Sequence, residues 1–115
     1  MGVEVLVKGD YKNDLPVAIC IVVYNLEICN SPTFNSLFHQ VPAEKIFISD
    51  NSIIADVKSK NAELAHKYGV NYRKTKNIGL GTTYNGAIDL MKNHCEYIGF
   101  FDQDTFIPKD YISIV

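Results

Sequence analysis

Two aspartates separated by one residue follow an apolar run near the end of the chain. The run "YIGFF" begins at Tyr97 and leads directly into Asp102, Gln103 and Asp104. In an extended chain, residues i and i+2 point to the same side, so the two carboxylates can converge on one point. Carboxylates held that close repel each other unless a cation lies between them. Because Mg²⁺ commonly takes one or two carboxylates together with substrate phosphates, the pair predicts a divalent cation bound to a diphosphate, with two solvated turn aspartates as the alternative.

Four short apolar runs rich in β-branched residues are predicted to be strands. They begin at Val17, Lys45, Val70 and Tyr97. The first and last are continuously apolar, which is typical of central strands covered on both faces. The segments between them have helical patterns at residues 31–40, 55–69 and 82–94. This alternation predicts an α/β fold with a mainly parallel sheet and helices on both faces.

Polar residues follow each predicted strand, where an open parallel sheet binds its ligands. They are Tyr24, Asn25, Asp50, the segment 77–86, Asp102 and Asp104. Taken alone, Asp50 is equally typical of a turn or helix cap. Gly79 and Gly81 lack the GxGxxG spacing and favour a tight loop over a phosphate site. Asn85 is a poor helix former in a helical pattern, which favours a buried amide that supports a neighbouring loop.

Length and composition indicate one ordinary globular domain. A chain of 115 residues can form a single core, and no apolar run approaches the roughly 20 residues of a membrane span. We expect an N-terminal extension over residues 1–16, which lacks the pattern of a signal peptide. The domain is then expected over residues 17–115.

Charge and cysteine usage restrict the partners and the compartment. A net charge of −2 provides no general attraction for nucleic acid, and the basic segment 72–76 is more typical of a solvated edge than of an anion site. Three scattered cysteines without metal-like spacing suggest reduced thiols in the cytoplasm. Cys20 lies in an apolar run and is expected to be a small buried hydrophobe rather than a nucleophile.

The polar motifs occur in an order that resembles a known family. The segments "IVVYN", "FISDNS", "NIGLGTTYN" and "FFDQDT" are similar to the nucleotide-binding half of the inverting family 2 glycosyltransferases, which have the Rossmann-like GT-A fold. The resemblance extends from Val17 to about Tyr111. The "DQDT" form of the Asp-x-Asp motif, together with the asparagine-glycine loop, looks most like the rhamnosyltransferase-type branch.

The resemblance implies a nucleoside site. Tyr24 and Asn25 would lie by the base and ribose of a nucleotide sugar, and Asp50 would accept a hydrogen bond from the pyrimidine N–H. Asn77 and Gly79 would line the nucleoside pocket.

The resemblance also implies a metal site. Asp102 would contact the ribose or the metal, and Asp104 would be the principal ligand of Mn²⁺ or Mg²⁺ on the diphosphate. Asn85 would support the nucleoside loop from the following helix. Family members often have a residue between this asparagine and its glycine, whereas Asn85 and Gly86 are adjacent here.

By the same resemblance, the donor would be a dTDP- or UDP-sugar and the acceptor a glycan or a lipid-linked saccharide. The family's acceptor half and catalytic base lie beyond the Asp-x-Asp strand, so we expect the base beyond Val115 and assign no catalytic residue. Asp110 is expected to begin a helix. We therefore expect a truncated glycosyltransferase that is inactive alone and self-associates, in the cytoplasm or peripherally on the inner face of the membrane.

Two functions of other classes compete with this interpretation. One is a non-catalytic binding or interaction module that kept the fold, which the short length favours and the two aspartates disfavour. The other is a phosphoacceptor receiver domain. Receiver domains need an acidic pair after the first strand, and Tyr24 and Asn25 occupy that position here.

Overall fold

The computed structural model describes residues 4–8, 17–75 and 97–108 of the chain. The strands are β1 (Glu4–Lys8), β2 (Val17–Val23), β3 (Ile46–Asp50), β4 (Asn71–Lys74) and β5 (Tyr97–Asp102). The α-helices are α1 (Pro32–Leu37) and α2 (Ala55–Tyr68), and two 3-10 turns span Ile28–Asn30 and Ala43–Lys45. The helix predicted at 82–94 lies outside the described residues. Within the described ranges, no helix is long and apolar enough to cross a membrane.

The strands form one sheet in the order β1-β5-β2-β3-β4. β5, β2, β3 and β4 run parallel to one another, and β1 is the antiparallel member among the strands that the structure describes. The predicted α/β fold with a mainly parallel sheet is therefore confirmed. In such a sheet the carboxyl ends of β5, β2 and β3 lie side by side, with β2 in the middle.

The edge strand β1 comes from the predicted extension at residues 1–16. It pairs with β5 so that Glu4 lies opposite Phe101 and Lys8 lies opposite Tyr97. The sequence prediction did not include this strand. Its presence gives β5 a neighbour on each side, so the backbone groups of β5 are not left as an open sheet edge.

β2 is buried on both of its faces. Ile19, Ile21 and Val23 belong to a core cluster on one face. Both described helices contribute to the same cluster, through Phe34, Leu37, Leu64 and Ala65. On the other face, Ala18, Cys20 and Val22 are also buried. This two-sided burial explains why the β2 sequence is continuously apolar rather than alternating.

The helix ends follow the local sequence. Pro32 occupies the first turn of α1, and the Ser31 hydroxyl accepts a hydrogen bond from the backbone N–H of Phe34 at 3.2 Å. α1 ends at Leu37, three residues before the end of the segment predicted at 31–40. α2 ends at Tyr68 and is followed by Gly69, the predicted stop, where a φ of 76° places the glycine in the left-handed region.

The Cys20 thiol is expected to be unreactive in the folded protein. It is fully buried beside the Ser49 hydroxyl, and burial raises its pKa to about 11. At pH 8 only about one thiol in a thousand is then ionised, and the thiolate is the reactive form. Alkylation with iodoacetamide followed by peptide mass spectrometry should label half-buried Cys29 well before Cys20. Equal labelling rates for the two cysteines below the unfolding transition would contradict this prediction.

Candidate functional site

The loops that follow β2, β3 and β5 are joined by hydrogen bonds at the carboxyl edge of the sheet. The backbone N–H of Asn51 donates to the carbonyl of Val23 at 2.8 Å, and that of Asn25 donates to the Ser52 hydroxyl at 2.8 Å. The N–H of Tyr24 donates to the side-chain oxygen of Gln103 at 2.8 Å. The structure thus brings together three of the four predicted polar segments. The fourth, residues 77–86, lies outside the described residues.

Asn25 connects the loop after β2 to the segment that leads into α2. Its φ of 49° lies in the left-handed region, which asparagine tolerates better than most residues. Its side-chain oxygen accepts from the backbone N–H of Ile53 at 2.8 Å and of Ile54 at 3.1 Å. Both N–H groups come directly before the first residue of α2, Ala55, so Asn25 positions the segment that enters the helix. The Asn25 side-chain oxygen therefore has a structural role within the chain.

The carboxylate of Asp50 is fully buried and hydrogen bonded within the chain. Its Oδ1 accepts from the N–H of Ser52 at 2.9 Å. Its Oδ2 accepts from the side-chain amide of Asn61 at 3.0 Å and from the hydroxyl of Tyr72 at 2.6 Å. A carboxylate has about four acceptor positions. In this conformation, only one, on Oδ1, remains for the pyrimidine N–H that was predicted to bind there.

Asn61, in the middle of α2, is a central residue of this network that the sequence prediction missed. Its side-chain oxygen accepts from the N–H of Ile28 at 2.8 Å, and its amide donates to the carbonyl of Leu26 at 3.0 Å as well as to Asp50. The argument applied to Asn85 also identifies Asn61, because asparagine is a poor helix former. It precedes Leu64 and Ala65 by three and four residues, which places it on the buried face of α2.

The Tyr72 hydroxyl is held in its neutral form. Burial raises its pKa most, and the hydrogen bond to Asp50 and the negative charge of Asp50 raise it further. The phenol therefore remains a hydrogen-bond donor to the buried carboxylate throughout the neutral range. This contact joins β4 to the carboxyl end of β3.

Asp102 and Asp104 are both exposed where β5 ends. The chain leaves the extended conformation after Asp102 and turns at Gln103 and Asp104. The predicted convergence of the carboxylates assumed an extended backbone here. That assumption is wrong at Gln103 and Asp104. Asp102 Oδ1 accepts from the N–H of Gln103 at 2.9 Å, which orients that carboxylate.

The backbone of this turn is attached to the start of α1. The Ser31 hydroxyl donates to the Gln103 carbonyl at 2.6 Å, and the Thr33 hydroxyl donates to the Asp102 carbonyl. The N–H of Thr105 in turn donates to the Thr33 hydroxyl at 2.8 Å. Because the polar groups of the backbone are used in this way, the turn has a defined position relative to the sheet.

Exposed apolar side chains lie beside the polar groups of the same edge. Tyr24 is 42% exposed, Ile53 64% and Ile54 50%. Asn25 links them, since it follows Tyr24 and accepts from the N–H groups of both isoleucines. An edge that presents an accessible aromatic ring and two accessible carboxylates is suited to a ligand with one flat apolar part and one anionic part bound through a cation.

Comparison with known proteins gives one family. The family model described as "Glycosyl transferase family 2" matches residues 18–115. None of the curated proteins and none of the solved structures compared with the chain matches it. The matched range includes the loops after β2, β3 and β5.

Asn61→Ala is expected to destabilise the protein by about 3 kcal/mol, because the buried N–H of Ile28 loses its acceptor and the Asp50 carboxylate loses one of its donors. Urea unfolding followed by circular dichroism measures this change. Lys60→Ala, at an exposed position of the same helix, is the matched control and should change the free energy of unfolding by less than about 0.5 kcal/mol. Similar losses for the two variants would refute the structural role of Asn61.

Tyr72→Phe is expected to reduce the loss of stability at alkaline pH. An unfolded tyrosine ionises near pH 10, whereas the folded pKa of Tyr72 is raised. Its contribution to stability is therefore complete below about pH 10 and is lost as the pH rises through the folded pKa. The variant should also cost about 1–2 kcal/mol at pH 7, because Asp50 loses a donor.

Urea unfolding of wild type and Tyr72→Phe at pH 7 and above pH 10 tests this prediction. Tyr68→Phe is the control, because the Tyr68 ring packs against Phe34 and Phe38. If the free energies of unfolding of wild type and Tyr72→Phe change by the same amount between these pH values, Tyr72 does not carry the effect.

Proposed function

Because the chain belongs to glycosyl transferase family 2, we propose that the carboxyl edge of its sheet binds the nucleoside diphosphate part of a nucleotide sugar. A divalent cation, Mn²⁺ or Mg²⁺, held by Asp102 and Asp104, would join the diphosphate to the protein. One observation carries the proposal: the turn that bears both exposed carboxylates is hydrogen bonded to the loop that bears the exposed Tyr24 ring, at 2.8 Å.

The residues present fit a hard divalent cation. Both side chains offer carboxylate oxygens, and neither is buried. In the part of the chain that the structure describes, no group of three or more metal-binding side chains occurs. Mg²⁺ does not require one, because it is commonly held by one or two carboxylates plus substrate phosphates and waters. Asp102 and Asp104 thus fit a divalent cation that binds together with the diphosphate.

The nucleoside would lie against the loops after β2 and β3. The exposed Tyr24 ring offers a face on which a base can stack, an interaction that tolerates any base. Asn25 and Asp50 would determine the shape of this region through the intrachain hydrogen bonds that they make. A direct hydrogen bond from Asp50 to a pyrimidine stays a prediction.

The remaining predicted nucleotide-binding residues, Asn77, Gly79 and Asn85, lie outside the described residues. Their roles in lining and supporting the nucleoside pocket stay predictions from the family resemblance.

In sugar transfer, a bound divalent cation supplies positive charge that stabilises the departing nucleoside diphosphate. The chain's own contribution would be to orient that group: Asp102 and Asp104 at the diphosphate and Tyr24 at the base. We assign no catalytic base, and the proposal concerns donor binding.

The finer identity of the substrates rests on the motif resemblance alone. The "DQDT" form favours a rhamnosyltransferase-like branch, and the donor would be a dTDP- or UDP-sugar. The acceptor would be a glycan or a lipid-linked saccharide. Self-association of the chain stays a prediction.

Asp104→Asn is expected to abolish the metal dependence of nucleotide binding. Wild type should bind UDP or dTDP at least tenfold more tightly with Mn²⁺ than with EDTA. The variant should show equal affinity in the two conditions, because it removes the charge of the principal ligand. Isothermal titration calorimetry with each nucleotide measures both affinities and also shows which base is preferred.

Glu63→Gln, at an exposed position of α2, is the matched control for loss of one carboxylate and should leave the metal dependence intact. Unchanged metal dependence in Asp104→Asn would exclude this residue as a ligand. If folded wild type bound neither nucleotide in the presence of Mn²⁺, the proposed function would be wrong, and the non-catalytic module would be favoured.

A further inference from the structure

Gln103, the residue between the two aspartates, uses its side chain to contact the loop after β2. Its side-chain oxygen accepts from the backbone N–H of Tyr24 at 2.8 Å, across 79 positions of sequence. Its own backbone carbonyl binds Ser31 and Thr33 at the start of α1. One residue thus joins the turn after β5 to two separate parts of the chain.

The end of the strand ladder explains why a side chain is needed there. The register between β2 and β5 ends at Val22 opposite Asp102. Beyond that pair, the backbone of the β5 segment turns towards α1, so its carbonyl at position 103 is used there. The N–H of Tyr24 would then lack a ladder partner. The Gln103 side chain supplies the missing acceptor and extends the connection between the two strands by one more residue.

The contacts with α1 do not depend on the side chain at position 103. In these contacts the carbonyls of Asp102 and Gln103 accept, and the backbone N–H of Thr105 donates. Any residue at position 103 retains those carbonyls. The connection to the loop after β2 is different, because it is made by the glutamine amide itself.

We propose that Gln103 is a positioning residue of the donor site: its side-chain amide fixes the turn carrying Asp102 and Asp104 relative to the loop carrying Tyr24. This inference rests on the proposed function. A base stacked on Tyr24 and a diphosphate bound through Asp102 and Asp104 belong to one ligand, so both ends must be held at the correct separation. A displacement of about 1 Å at a positioned group is enough to weaken binding or catalysis by large factors.

Gln103→Met removes the acceptor while it keeps a side chain of similar length. We expect the gain in UDP or dTDP affinity that Mn²⁺ provides to fall about tenfold, while the affinity in EDTA changes less than about twofold, since only the link between the two ends is lost. Gln103→Glu keeps an oxygen in the same place and should retain the Mn²⁺ effect within about threefold. Calorimetric titrations with Mn²⁺ and with EDTA measure this pattern, and a merely structural glutamine would not produce it.

Gln40→Met is the matched control. The Gln40 amide also binds the segment after β5, by donating to the carbonyl of Pro108 at 2.7 Å rather than by accepting from Tyr24. Gln40→Met should leave the gain in nucleotide affinity from Mn²⁺ unchanged. An equal loss in Gln40→Met and Gln103→Met, or an equal loss in Gln103→Glu and Gln103→Met, would overturn the inference.

A second readout does not require any nucleotide. Amide hydrogen exchange measured by nuclear magnetic resonance should show the Tyr24 N–H protected in wild type and exchanging about tenfold faster in Gln103→Met. An unprotected Tyr24 N–H in wild type would overturn the inference directly. Failure of wild type to bind either nucleotide with Mn²⁺ would instead count against the proposed function, so the two failures are distinguishable.

Discussion

The burial of the Asp50 carboxylate is the constraint on which the carboxyl edge of this sheet depends. A buried charge is tolerated only when hydrogen bonds compensate for lost hydration. The compensating donors come from the loop after β3, from α2 and from β4. Asn61 extends the same network to residues 26 and 28. The Asp50 carboxylate therefore links α2 to the sheet, in addition to the core contacts of Leu64 and Ala65.

Because that edge is assembled by internal hydrogen bonds, its loops have defined positions before any ligand arrives. Asn25 fixes the segment before α2, and Ser31 and Thr33 fix the turn after β5. A site prepared in this way loses less conformational entropy on binding, which leaves more of the interaction energy for affinity. The accessible groups among the described residues of this edge include the side chains of Tyr24, Ile53 and Ile54 and the carboxylates of Asp102 and Asp104.

The sequence predicts the parallel strands well because their signals are local. Continuous apolar runs identify β2 and β5, and Gly69 marks the end of α2. The prediction missed the partners of Gln103 and Asn61, because those contacts join residues far apart in sequence. It also missed β1, whose pairing partner β5 is distant in sequence. The extended backbone expected for the two aspartates was wrong at Gln103 and Asp104, where hydroxyl groups at the start of α1 bind the carbonyls of the turn, and nothing near the motif encodes that contact.

The antiparallel edge strand has a consequence for how the chain folds. β1 pairs with β5 and with no other described strand, and its residues are separated from their partners by almost the whole length of the chain. During synthesis, residues 4–8 therefore leave the ribosome long before the segment that they pair with. β5 must also insert between β1 and β2, so the centre of the sheet closes only when residues 97–102 arrive. Such distant pairings slow folding, and the segment that carries Asp102 is also the one that completes the sheet.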